Sequence, residues 1–205
     1  GGVTHNCLVA INTSDGTAIS SFNPSLGSTV NALAISDSIL YVGGYFTYVN
    51  SDFSFKYLVA INTSDGTVVS SFKPNLDNTV FALALSGSTL YAGGGFSTVG
   101  GVTHHSLVAV DTTTSTAITS FNPNVNNTVF ALTLSGSTLY AGGYFTTVNE
   151  VIYNHLAAIN TENGEAIPSF NPSLNNKYVL TLALSGSTLY AGGSFTLSNS
   201  VFCNR

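Results

Sequence analysis

Internal repetition constrains this chain more than any other feature. The run Leu8-Val9-Ala10-Ile11-Asn12-Thr13 returns from Leu58, from Leu107 with Val and Asp variants, and from Leu156, at spacings of 50, 49 and 49 residues. Ser21-Phe22-Asn23-Pro24 returns around Phe72, Phe121 and Phe170. Leu40-Tyr41-Val42-Gly43-Gly44 returns around Tyr91, Tyr140 and Tyr190, each followed by Ala-Gly-Gly. The 205 residues therefore form a single repeat domain, 1–205, with copies over approximately 1–50, 51–99, 100–148 and 149–198. Residues 199–205 begin a fifth phase. Such units bury their apolar faces against one another rather than alone.

One copy reads as four strands. Leu8 to Thr13 is a short apolar, β-branched run closed by the turn signal Ser14-Asp15-Gly16. Thr17 to Phe22 follows and stops at Asn23-Pro24, because proline cannot donate to a ladder. Thr29 to Ser36 and Leu40 to Val49 complete the set. No segment carries the 3.6-residue periodicity of a helix. In Val80-Phe81-Ala82-Leu83-Ala84-Leu85 both alternating faces are apolar, small residues (Val80, Ala82, Ala84) on one and large ones (Phe81, Leu83, Leu85) on the other. A two-layer sandwich would show a polar outer face. This strand expects protein on both sides, as in stacked blades. The fold class is all-β: four blade repeats of about 50 residues and four strands each, as a β-propeller, in a four-bladed ring or an open blade stack. Gly43-Gly44 and its counterparts mark close approach of neighbouring groups, and Phe46, Phe96, Phe145 and Phe195 read as filling between blades.

The pattern Leu-Tyr-Ala-Gly-Gly-x-Phe-Thr, then Leu-Val-Ala-Ile-Asn, an Asp-Gly turn and Ser-Phe-Asn-Pro resembles the delta-60 repeat. It is carried here by Tyr91, Gly93, Gly94, Phe96, Leu107, Ala109 and Phe121, among others. The resemblance covers nearly the whole chain. It implies a β-propeller-type repeat of large bacterial secreted or surface proteins, with no assigned activity. The third copy departs from it: Asp111 to Thr116 lacks the turn glycine, which predicts a longer or differently shaped loop.

Composition narrows the function. Charged residues make up 6% of the chain, against about 25% in an ordinary domain. Nine acidic and four basic residues give a net charge of −5, which disfavours a nucleic-acid partner. No apolar run is long enough for a membrane-spanning helix. The chain opens at Gly1-Gly2-Val3-Thr4 without a signal peptide, as expected of a mature or processed chain or a window of a longer one. The histidines, His5, His104, His105 and His155, lie just before the strand that starts each copy and lack ligand spacing. The acids sit mostly in turns, where Asp caps its own backbone, and Glu162 and Glu165 flank Asn163-Gly164 as solvated groups. There is no calcium loop, nucleophile elbow or phosphate loop, so no catalytic, cofactor-binding or metal residue is assigned and no cofactor is expected.

Cys7 and Cys203 stand near the two ends and are a candidate disulfide, within a closed ring or between successive subunits. Asn12, Asn62 and Asn126 head Asn-x-Ser/Thr sequences and are candidate N-glycosylation sites. The reading that results is a non-enzymatic, extracellular or cell-surface structural protein, self-associating into a fibre, filament or adhesin-like array. The alternative is a carbohydrate-binding, lectin-like propeller using Tyr45, Tyr144, Phe96 or the Asn-rich loops between blades.

Overall fold

The computed structural model describes residues 4–172, 174–175, 177–195, 197–198 and 201–202. They form small antiparallel sheets and, among the described residues, no helix. The first sheet orders β1 (Val30–Ser36), β2 (Ile39–Gly44) and β3 (Leu58–Asn62). The second is β4 (Val80–Ser86), β5 (Thr89–Gly94) and β8 (Leu107–Asp111), with a side hairpin of β6 (Thr98–Val99) and β7 (Val102–Thr103). The third is β9 (Val129–Ser135), β10 (Thr138–Gly143) and β13 (Leu156–Asn160), with β11 (Thr147–Val148) and β12 (Val151–Ile152) as its hairpin. The fourth has two strands, β14 (Val179–Ser185) and β15 (Thr188–Gly193), followed by the pair β16 (Leu197–Ser198) and β17 (Val201–Phe202).

Each complete sheet takes its third strand from the next sequence copy. The joint is a left-handed residue: Tyr57, Ser106 and His155 have φ of 62, 61 and 68°. Their carbonyls accept from Gly44, Gly94 and Gly143, and their own N–H groups donate to Phe46, Phe96 and Phe145. The expectation of four strands per blade is corrected here. The segment after the turn makes one bridge per copy: Ile61 with Val68, Val110 with Ala117, Ile159 with Ala166. It goes no further because the chain turns at once, Phe72 N donating to Val69 O at 3.0 Å, and proline follows two residues later.

The turn without glycine is also corrected: it has the same shape as the others. Ser115 takes φ 61°, and its N–H donates to Asp111 O at 2.8 Å, as Gly66 donates to Asn62 O at 2.9 Å. Its hydroxyl accepts from Lys73 N at 2.6 Å. At Gly66 (φ +73°) a Cβ would lie 2.9 Å from Pro24 Cδ and 3.0 Å from Asn23 N. The Phe-x-Pro corner of one copy therefore seats on the turn of the next.

The core lies between sheets. β1 packs on β4, β4 on β9 and β9 on β14. A bulge between Val80 and Ala82 swings Val80 off the face that strict alternation assigns it. Val80 and Leu83 then both project onto the preceding blade, where a Cβ on Gly43 would meet Val80 Cγ1 at 2.6 Å and Leu83 Cδ1 at 3.4 Å. Val129 over Gly93 and Val179 over Gly142 repeat the contact at 2.6 and 2.5 Å. The second glycine of each pair lies against a carbonyl of its own sheet, Thr29 O for Gly44 and Thr79 O for Gly94. Phe46, Phe96 and Phe145 are fully buried in these seams. Tyr41–Phe72, Tyr91–Phe121 and Tyr140–Phe170 cross edge to face at 5.1, 5.2 and 5.2 Å.

Gly93→Ala puts a methyl where Val129 stands and is expected to cost about 1–3 kcal/mol in urea denaturation. Gly16→Ala, at φ +73° with nothing within 4 Å, bears only the left-handed backbone strain, about 1 kcal/mol. Equal costs at the two positions would mean that the seam is not tightly packed.

Candidate functional site

Among the described residues, no three His, Cys, Asp or Glu side chains converge. The acids serve their own turns. Asp15 and Asp65 each accept from the backbone and hydroxyl of the threonine two residues on, and Asp111 accepts from Thr113 and Thr114. These bonds hold the three carboxyls below the usual range. Glu162 and Glu165 are exposed.

Two histidines do structural work that the sequence concealed. His104 fills the slot occupied by Phe55 in one copy and Tyr153 in another, and all three rings are buried. His155 takes the left-handed joint position of Tyr57. The Nδ1 atoms of both are buried without a hydrogen-bond partner. Burial pushes both imidazoles below the ordinary histidine range. A hydrogen bond with the Asn122 side chain opposes the shift at His104, and the charge of His105 adds to it. At His155 a backbone bond with Gly143 opposes it.

Two surface grooves open along the array. One of about 350 Å³ is lined by Phe53, Phe55 and Lys56 and by Lys73, whose Nζ sits 5.3 Å from the Phe55 ring centroid. Another, of about 370 Å³, is lined by Asn127, Tyr144, Thr146, Asn154, His155 and Asn175. Tyr45 and Tyr144 are exposed, so either ring is open to a ligand, whereas Phe96 is sealed in the core and is withdrawn as a platform.

Of the modification candidates, Asn12 is exposed, and its side-chain oxygen accepts from Ser14 N and Ser14 Oγ. Asn62 donates to Thr67 Oγ1 at 2.8 Å. Asn126 is fully engaged, accepting from Thr146 N and Thr147 N and donating to Thr146 Oγ1. Cys7 is exposed and unbridged among the described residues; Cys203 lies outside them.

Both ends of the array carry exposed apolar side chains. Leu33 and Ile35 of β1 stand open at one end, and Val9, Ile11 and Ile19 of the first copy are exposed as well. Leu180 of β14 and Tyr190 of β15 stand open at the other. β14 and β15 make no comparable packing with β1 or β2.

The architecture is all-β and propeller-like. No family model matches the chain, and no curated protein does. Among solved structures it is similar to the computationally designed Ika4 protein, with a TM-score of 0.56 at 14% identity over 82% of this chain and 86% of that one. The designed Ika8 protein gives a TM-score of 0.53 at 14% identity, over 80% of this chain and 43% of that one. The Pan2 WD40 domain of Neurospora crassa gives 0.50 at 14%, over 85% and 48%. The chain spans a little under half the length of the last two. At this identity the likeness establishes fold alone.

The buried histidines predict a pH dependence. A lowered native pKa means that the unfolded chain takes up protons first, so stability present above about pH 6.5 falls as pH drops through the native value. Each histidine contributes at most about 1.4 kcal/mol per pH unit. His104→Phe with His155→Tyr, which copy Phe55 and Tyr57, is expected to narrow the gap between urea midpoints at about pH 7 and pH 5. An unchanged gap would place the acid sensitivity elsewhere.

Proposed function

We propose that this chain is a non-enzymatic extracellular scaffold that self-associates into a fibre or adhesin-like array at a surface. The observation that carries the reading is the pair of open apolar ends on a body with 6% charged residues. Large exposed apolar patches mark interaction sites, and few charges oppose approach. Resemblance to the delta-60 repeat supports a secreted or surface setting. In sedimentation and negative-stain microscopy the chain is expected to form linear particles whose length grows with concentration. A single monomeric species at every concentration would overturn the scaffold role, and labelling only after cell lysis would overturn the surface location.

The groove around Tyr144 favours a second reading, carbohydrate binding. A half-exposed ring beside Asn127, Asn154 and Thr146 combines a stacking face with amide and hydroxyl groups suited to sugar hydroxyls. Binding on a glycan array, lost at least tenfold in Tyr144→Ala, would support it. No binding, or binding indifferent to the substitution, would reject this groove.

A further inference from the structure

We infer that the two ends of the chain are the two halves of one internal seam, so that a second copy docks head to tail by donating its first strand to β15. The inference rests on the scaffold reading and specifies its contact.

The argument starts from an incomplete blade. β2, β5 and β10 each pair on both edges, with β1 and β3, β4 and β8, and β9 and β13. Among the described residues, β15 pairs with β14 and with no other strand. The missing element has the sequence of β3, β8 and β13, and one such segment stands without a blade: Leu8–Asn12. Its outer side already has the geometry of a third strand. Ile19 N donates to Ala10 O at 2.9 Å, as Val69 N donates to Ala60 O at 2.9 Å, and Asn12 N donates to Thr17 O as Asn62 N does to Thr67 O, both at 2.8 Å. Its other edge has no ladder partner among the described residues. Copying the β2–β3 register, in which Tyr41 faces Ala60 and Val42 faces Val59, sets Tyr190 of one copy opposite Ala10 of the next, and Ala191 opposite Val9.

Side chains fit the same register. Inside the chain, Val80 and Leu83 cover Gly43, Val129 and Leu132 cover Gly93, and Val179 and Leu182 cover Gly142. On Gly192 a Cβ would meet only Thr181 Cγ2 of its own sheet. The residues that would cover it, Val30 and Leu33, lie at the opposite end. Leu33 is 51% exposed and Ile35 63%, although their counterparts Leu83 and Leu85 pack into a seam. Tyr190 is 61% exposed, whereas Tyr41 and Tyr91 are 6% and 4% exposed beneath the next blade. Docking brings Tyr190 to Phe22 in the relation that Tyr41 has to Phe72.

The contact is heterologous, so it propagates rather than stopping at a dimer. Its occupant is a second copy rather than the chain's own beginning, because within one chain β14 and β15 make no packing with β1 and β2 comparable to that of β1 on β4 or β9 on β14.

The test is a crosslink in the full chain with Cys7→Ser and Cys203→Ser, carrying Val9→Cys and Ala191→Cys. Oxidation is expected to give a ladder at multiples of 21.2 kDa that is lost on reduction and absent from either single-cysteine variant. A link between residues 9 and 191 inside one chain would overturn the inference in favour of ring closure. Multimers of the native chain with no such link would overturn this contact and leave the scaffold reading standing. A native chain that stays monomeric, with no link, would sink both.

Single-end variants supply a second readout. Leu33→Lys with Ile35→Lys blocks the head, and Tyr190→Lys blocks the tail. All three side chains are exposed in the single chain, so thermal midpoints are expected to stay put. Each variant alone is expected to run as a monomer, and their equimolar mixture to double in mass. Mixtures that remain monomeric would overturn the head-to-tail assignment.

Discussion

The whole array depends on one steric relation: a branched apolar side chain of each blade stands where a Cβ of the preceding blade would be. Val80 over Gly43, Val129 over Gly93 and Val179 over Gly142 place side-chain carbon at about 2.5–2.6 Å from that missing atom. Only glycine admits such an approach, so the Gly-Gly pair sets the inter-blade distance. Once that distance is set, Phe46, Phe96 and Phe145 fill the seam, and Tyr41, Tyr91 and Tyr140 meet the phenylalanine of the corner that follows. The cohesion is apolar burial with little electrostatic contribution. With charged residues at 6% of the chain, apolar burial between blades supplies most of this cohesion.

A second contact keeps successive blades in phase at their outer rim. The corner before each proline rests on the next copy's turn, and the turn must be left-handed at that point. Gly66 and Gly164 meet the requirement by having no side chain. Ser115 meets it by turning its hydroxyl to accept from Lys73 N at 2.6 Å. The substitution that broke the sequence pattern thus left the backbone unchanged, since a local hydrogen bond offsets part of the strain of a non-glycine residue at positive φ.

Much of the fold was legible because repetition exposes environment. Apolar character on both faces of Val80 to Leu85 implied protein on both sides, and the glycine pairs implied close approach; the seams bear out both. Three things were not legible. The bulge at Val80 leaves no compositional trace, yet it moves that side chain to the other face. The joint between copies, at the left-handed residues Tyr57, Ser106 and His155, was hidden because a period fixes spacing, not where one sheet ends and the next begins. The slot shared by Phe55, His104 and Tyr153 was obscured because burial there accepts any ring of suitable size, so a histidine resembling a loop residue is a core residue. The candidate ligand groove was half visible: Tyr144 could be named from its position, and Phe96, read first as filling between blades and second as a ligand platform, is sealed in the core.

Arrays built from equal slices must handle their last surfaces, and proteins usually do so with a polar cap or by guarding the edge strand with Lys, Pro or a shortened ladder. None of these devices is present in the two segments that the proposed contact pairs. Thr188-Leu189-Tyr190-Ala191-Gly192-Gly193 and Leu8-Val9-Ala10-Ile11-Asn12 carry no charge and no proline, and β15 is as long as β5 and β10. The aromatic and branched residues there are those that the interior seams bury. These side chains have the chemistry of an interior, and the head-to-tail contact proposed above would cover them as the internal seams cover their counterparts.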